Sequence, residues 1–97
     1  RDDTRALGGR LFTLRDGVWT DAAPITGQRV IRVKAFSAAY FELLNALPEL
    51  EPVLRELGEV VVVGTRAAVR VGGEGMESIS TSELRELVAG FRGRDAR

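Results

Sequence analysis

Two apolar periods run along this chain, one of two residues and one of three to four, and they divide it into strands and helices. The stretch LFTLRDGVWTDA, residues 11–22, sets Asp16-Gly17 between two β-favouring runs. A two-residue loop there pairs Arg15 with Val18, Leu14 with Trp19, Thr13 with Thr20 and Phe12 with Asp21, so that Phe12, Leu14 and Trp19 share one face. A type I′ turn needs positive φ at both loop residues, which Asp tolerates and Gly adopts freely. Asp16-Gly17 is therefore read as a hairpin corner and not as a carboxylate with a chemical task.

After a loop containing Pro24 and Gly27, RVIRVKAF (residues 29–36) places Ile31, Val33 and Ala35 on one side and Arg32 and Lys34 on the other, a half-exposed third strand. Ser37 stands as an N-cap before Tyr40, Phe41, Leu43, Leu44 and Leu47, which recur at helical spacing and predict a helix to about residue 46. Pro48 disfavours helical geometry at Leu47 but suits the first turn of a second helix, striped by Leu50, Val53, Leu54 and Leu57 and stopped by Gly58. Residues 59–73, EVVVVGTRAAVRVGG, predict a second hairpin, with its corner at Gly64-Thr65 or Thr65-Arg66 and a valine run buried on both faces. Residues 72–77 read as a loop. Ser80 and Glu83 then form an S-x-x-E capping box ahead of Leu84, Leu87, Val88 and Phe91, which predict a last amphipathic helix.

These elements predict one α+β domain over residues 8–92: a mostly antiparallel sheet of about five strands, covered by a bent helical pair and a C-terminal helix. The order of the strands is left open. Residues 1–7 and 93–97 show no apolar pattern and are expected to fray. The 97 residues suffice for one core but not for a substrate domain beside a cofactor domain. A 44% hydrophobic and 29% charged composition is that of an ordinary globular chain and predicts that it folds.

Charge narrows the function classes. Fourteen basic residues balance 14 acidic ones, so no long-range field steers the domain to nucleic acid, and no nucleic-acid partner is expected. No apolar run approaches the roughly 20 residues of a membrane span, and RDDTRALGGR at the start lacks a signal-peptide core, so this segment is not expected to insert into a membrane. The chain has no cysteine and no histidine, which removes disulfides, thiolate chemistry, Cys-type zinc sites and the commonest general base. Met76 is the only methionine, so Arg1 does not read as an initiator; the chain is expected to be either processed or cut from a longer protein, and an excised domain is the favoured reading. Arginine supplies every basic residue except Lys34, a usage that resembles GC-rich bacterial coding.

The remaining candidates for chemistry have structural explanations. Glu49 and Glu51 are two apart and would not share a helix face, and Glu83, three before Glu86, is explained by its cap. Ser78, Ser80, Thr81 and Ser82 have no histidine to activate them, and VGGEGMES lacks the G-x-x-x-x-G-K-S/T of a phosphate loop. Catalytic, cofactor and metal sites are accordingly read as none. Trp19 beside Arg15, and Arg32 with Lys34, could serve as a stacking or polar contact surface. The strand carrying Ala67, Val69 and Val71 reads as an open sheet edge, and hence as a contact strand.

GGRLFTLRDGVWTDA, followed by VIRVKAFSAAYFELLNALPELEPVLRELGEVVVV, resembles the accessory segment C-terminal to the von Willebrand A domain in bacterial proteins that also carry a vault-protein/inter-alpha-trypsin (VIT) domain. The likeness spans roughly residues 8–71. It implies an extracytoplasmic bacterial protein concerned with adhesion or assembly. It carries no metal site onto this chain, which lacks the D-x-S-x-S motif of a von Willebrand A domain.

The leading reading is a non-enzymatic accessory domain of a larger bacterial protein, whose partners are neighbouring domains of its parent or a second copy of itself. The alternative is a small-ligand or nucleic-acid module using Trp19, Arg15, Arg32 and Lys34. The hairpin itself is directly testable: Gly17→Val is expected to cost about 1–3 kcal/mol through backbone strain at positive φ, seen as a lowered melting midpoint.

Overall fold

A computed structural model of the chain describes residues 3–94. Six strands, β1 (Thr4–Leu7), β2 (Arg10–Arg15), β3 (Val18–Asp21), β4 (Arg29–Lys34), β5 (Val60–Val63) and β6 (Ala67–Gly72), form one sheet. Helix α1 (Ala38–Ala46), a 3₁₀ turn (Pro48–Leu50) and helix α2 (Glu51–Glu56) link β4 to β5, and α3 (Thr81–Arg92) follows β6. The α+β class and both hairpins stand as read from the sequence.

Around Asp16-Gly17 the register is the expected one, from Arg15 opposite Val18 to Phe12 opposite Asp21, with φ of 52° and 80° at the two loop residues. Ser37 caps α1 by accepting from the Tyr40 N–H at 3.2 Å. Ser80 and Glu83 form the complete capping box of α3, with reciprocal bonds of 3.1 and 3.0 Å.

Three expectations are corrected. Residues 4–7 do not fray: they pair with β2 across Gly8-Gly9 as a sixth strand. At the other end, Gly93 caps α3 in a left-handed conformation, and the Arg94 N–H returns to the Ala89 carbonyl at 2.8 Å. The rest of the predicted fraying, residues 1–2 and 95–97, lies outside the described residues. The sheet, in order β1-β2-β3-β5-β6-β4, is mixed, because β3 pairs with β5 and β4 with β6 in parallel. The helical crossover from β4 to β5 produces this: it returns the chain beside β3, and the β5–β6 hairpin fills the gap before β4. As a result β6 lies inside the sheet, and Ala67, Val69 and Val71 are buried core residues and not an open edge.

The helices cover one face. Phe12 from β2, Val60 and Val62 from β5, Val69 and Val71 from β6, and Ile31 and Val33 from β4 pack there against Leu43, Leu47, Leu50, Val53, Leu54, Leu57, Leu87 and Phe91. Burying such side chains contributes about 1.5–3 kcal/mol each and is the main drive to fold. On the reverse face Val61, Val63 and Ala68 form a small second cluster with Val18. The valine strand is thus buried on both sides.

The β5–β6 corner is Thr65-Arg66, closed by the Gly64 N–H to the Ala67 carbonyl at 2.9 Å. This corner also finishes α3. The N–H groups of Thr65 and Arg66 donate to the carbonyls of Phe91 and Gly90 at 3.0 and 2.8 Å, satisfying orphan acceptors at the helix end. Such an approach leaves no space for a side chain at residue 64, where a Cβ would sit 2.6 Å from the Phe91 ring and carbonyl.

Among the described residues, one charged side chain, that of Asp21, lies in the interior. β3 pairs with β5 only at Trp19 and Thr20, and beyond that point side chains complete the ladder. The Asp21 carboxylate accepts the Val63 N–H at 2.9 Å, the Ala23 N–H at 3.0 Å and Arg10 Nη1 at 2.7 Å, while Arg10 Nη1 also donates to the Val63 carbonyl at 2.7 Å. The Asp21 side chain is 3% exposed. Arg10 lies over the Phe91 ring, 5.3 Å from its centroid, and so ties this pair to α3.

A second ion pair is at the surface. Arg92 holds Glu49 through Nε and Nη2 at 2.9 and 2.8 Å, and Nη2 also donates to the Ala46 carbonyl at 3.3 Å. These bonds hold the Glu49 carboxyl below the usual glutamate range, and the Ser80 N–H and hydroxyl do the same for Glu83. Since both folded-state values are depressed, their contribution is present above the ordinary value of 4.5 and is lost as pH falls through the folded-state value.

Two outcomes are expected. Asp21→Ala strands Arg10 and the Val63 N–H and should cost about 3–5 kcal/mol, measured by urea unfolding. Glu49→Gln should cost about 1 kcal/mol or less at neutral pH, and its melting midpoint should converge on that of the wild type as pH falls through the depressed folded-state value of Glu49.

Candidate functional site

Register decides which of the candidate residues meet. Trp19 shares the helix-covered face with Phe12, where it is half-buried against the core, whereas Arg15, opposite Val18, points to the reverse face. The expected Trp19–Arg15 platform is therefore not formed. Arg5 of β1 takes that place, with its guanidinium 5.9 Å from the Trp19 ring centroid and 3.6 Å from Glu56.

Arg32 and Lys34 are exposed on the reverse face, as expected, and each has a counter-ion: Glu74 at 3.8 Å and Glu77 at 3.4 Å. Arg70 stands directly opposite Arg32 in the parallel register, a like-charge pairing that the sequence reading did not anticipate. A cleft of about 430 Å³ is lined by both arginines, with Glu59 and Glu74 also in its wall. A second cleft, of about 320 Å³, lies between β4 and α3 over Ile31 and Leu87 and mixes Arg29 and Arg66 with Glu83 and Glu86. There Arg66 is already committed to the carbonyls of Ala89 and Arg94. Both clefts combine both signs of charge. Among the described residues, no group of three or more carboxylates gathers to hold a metal ion, and no helix is long and apolar enough to cross a membrane.

The sheet has two edges, and they differ. Along β4, Met76 forms a parallel bridge opposite Val33, donating to the Arg32 carbonyl at 2.9 Å and accepting from the Lys34 N–H at 3.0 Å. Chain thus covers part of that edge. Along β1 the ladder phase follows from the Leu14 N–H, which donates to the Asp3 carbonyl at 2.9 Å. Residues 3, 5 and 7 accordingly face β2, and Thr4 and Ala6 turn their N–H and C=O groups outward, where no described residue meets them. Burial follows the same division: β1 is almost wholly exposed, while the inner strands β5 and β6 are almost wholly buried.

At the opposite side of the molecule, where β4 leads into α1, three aromatic rings crowd together. Phe36 and Tyr40 are 5.1 Å apart between centroids at 54°, and Tyr40 and Phe41 are 5.1 Å apart at 88°. Tyr40 is buried, but Phe36 is 75% and Phe41 52% exposed. Phe36 has a φ of 64°, which is strained for a residue with a Cβ. Burial, and then the charge of Glu51, push the Tyr40 hydroxyl up from its ordinary value. The sequence reading assigned Phe41 to the core face of α1 and missed Phe36. The available signal was an aromatic just before the Ser37 cap, the position from which a hydrophobic staple reaches into the first turn.

Neither a family model, a curated protein nor a solved structure matches the chain.

Proposed function

We propose that this domain is a non-catalytic accessory module of a larger bacterial protein and acts through protein contacts, with β1 as the contact strand. The observation that carries this reading is the outer edge of β1, where Thr4 and Ala6 present backbone donors and acceptors to any strand laid beside them. A guest strand would extend the sheet by one. Two further points support a contact role over a chemical one. The chain has no histidine or cysteine, and its charged clefts combine acids with bases. The resemblance of residues 8–71 to the segment that follows von Willebrand A domains in VIT-containing bacterial proteins agrees with an extracytoplasmic assembly role, in which the partner is a neighbouring domain of the parent or a second copy.

The test uses a residue whose N–H points away from β2. Ala6→Pro removes an outward donor and leaves the β1–β2 ladder intact, so the fold should survive, as a circular dichroism melt would show. Light scattering over a dilution series, together with titration of the remaining domains of the parent protein, should show association in the wild type and its loss in Ala6→Pro. A strict monomer that also ignores its parent's other domains would overturn the proposal. RNA or DNA binding that weakens steeply with salt would favour the nucleic-acid alternative instead.

A further inference from the structure

The aromatic ledge lies at the other side of the sheet from β1, and the β1 reading gives it no role. Its features are costly without a partner. Phe36 holds a left-handed backbone that glycine or asparagine would adopt with less strain, and it leaves three quarters of its surface in water. The staple position accounts for an apolar residue there, but the ring packs against Tyr40 and still remains 75% exposed. Phe41 extends the apolar surface along α1, whose other exposed residues are Ala38, Glu42 and Asn45.

Charge around the ledge has one sign to spare. Glu42 is the only charged residue of α1, and no described cation pairs with it. The nearby cation Lys34 is held by Glu77, and Glu51, whose charge acts on the Tyr40 hydroxyl, is joined by Arg55. Exposed ring faces are themselves electron-rich and attract a guanidinium or ammonium group, most often that of arginine. We infer that the Phe36–Tyr40–Phe41 ledge is a docking surface for an arginine-bearing segment of a partner protein, whose guanidinium stacks on Phe36 or Phe41 with Glu42 as its counter-charge.

The experiment titrates the intact chain with acetyl-Gly-Arg-Gly-Arg-Gly-amide and reads it by NMR. Two control peptides replace arginine by citrulline, which keeps the shape without the charge, or by glutamate. The arginine Cδ protons should move upfield under the rings, and the citrulline peptide should bind about threefold or more weakly. Phe36→Gly should weaken binding by about two- to fivefold, while its melting midpoint holds or rises because the strained φ is relieved. Phe41→Gln should weaken binding similarly and keeps the test open should Phe36→Gly misfold. Ala6→Pro, altered only at β1, should bind the arginine peptide like the wild type, so that failure of one surface is distinguishable from failure of the other. Equal binding of the citrulline or glutamate peptide, unchanged affinity in both ring variants, or no binding of the arginine peptide at millimolar concentration would overturn the inference. So would binding to phosphatidylglycerol vesicles that is lost in Phe36→Gly, since it would make the ledge a membrane contact.

Discussion

The sheet is held as one piece by an ion pair that substitutes for backbone. β3 runs beside β5 for only two paired residues before the chain turns away at Ala22 and Ala23. Past that point the Val63 N–H and C=O would have no strand to meet, and an unpaired buried peptide group costs as much as a lost hydrogen bond. Asp21 supplies the acceptor and Arg10 the donor, and each also neutralises the other. Because Arg10 also rests over Phe91, one side chain connects the β1–β3 meander, the β5–β6 hairpin and the last helix. A buried pair of this kind is weak evidence of added stability over an apolar substitute, but it tolerates the loss of neither half.

Residue size sorts the strands around that junction. β6 consists of alanine, valine and glycine apart from Arg70, and such a strand accepts neighbours on both edges and side chains on both faces. The charged strand, RVIRVK, takes an edge, where Arg32 and Lys34 stay in water and discourage further pairing. α3 closes the helix-covered face, and its final carbonyls are taken up by the Thr65-Arg66 corner, so that helix end and hairpin tip satisfy each other. Gly64 is the residue this closeness requires.

What was legible in the sequence was local. The Asp16-Gly17 register, the Ser37 and Ser80 caps, the break at Pro48 and the stripes of the helices depend on neighbours a few residues apart, and all are present except that Phe41 lies off the core face of α1. Strand order depends on contacts between distant residues, which no local period encodes; hence the mixed sheet and the inner position of β6 were not foreseen. β1 was missed because TRAL has no apolar alternation, although Gly8-Gly9 offered the same kind of corner as Asp16-Gly17. The interior ion pair was half visible. The hairpin register already set Asp21 opposite Phe12 on the core face, with Arg10 two residues before Phe12 on that same face, and a carboxylate so placed requires a cation. Of the candidate contacts, Arg32 and Lys34 are where the alternation puts them, and Trp19 lies under Arg5, within the stretch whose lack of an apolar pattern predicts fraying.

The two-residue seam between β3 and β5 also divides the molecule in time. β1, β2 and β3 are joined by two-residue corners, so their pairing closes loops of minimal entropy and proceeds among sequence neighbours. Bringing Trp19 to Val60 instead closes a loop that contains β4, both helices of the crossover and their connections. The Arg10–Asp21 clasp on Val63 therefore belongs to the long-range, slow part of assembly. Interactions formed that late act chiefly on the rate at which the finished structure comes apart. A clasp that depends on so distant a pairing is expected to bear more on the lifetime of the folded domain than on the speed of its formation.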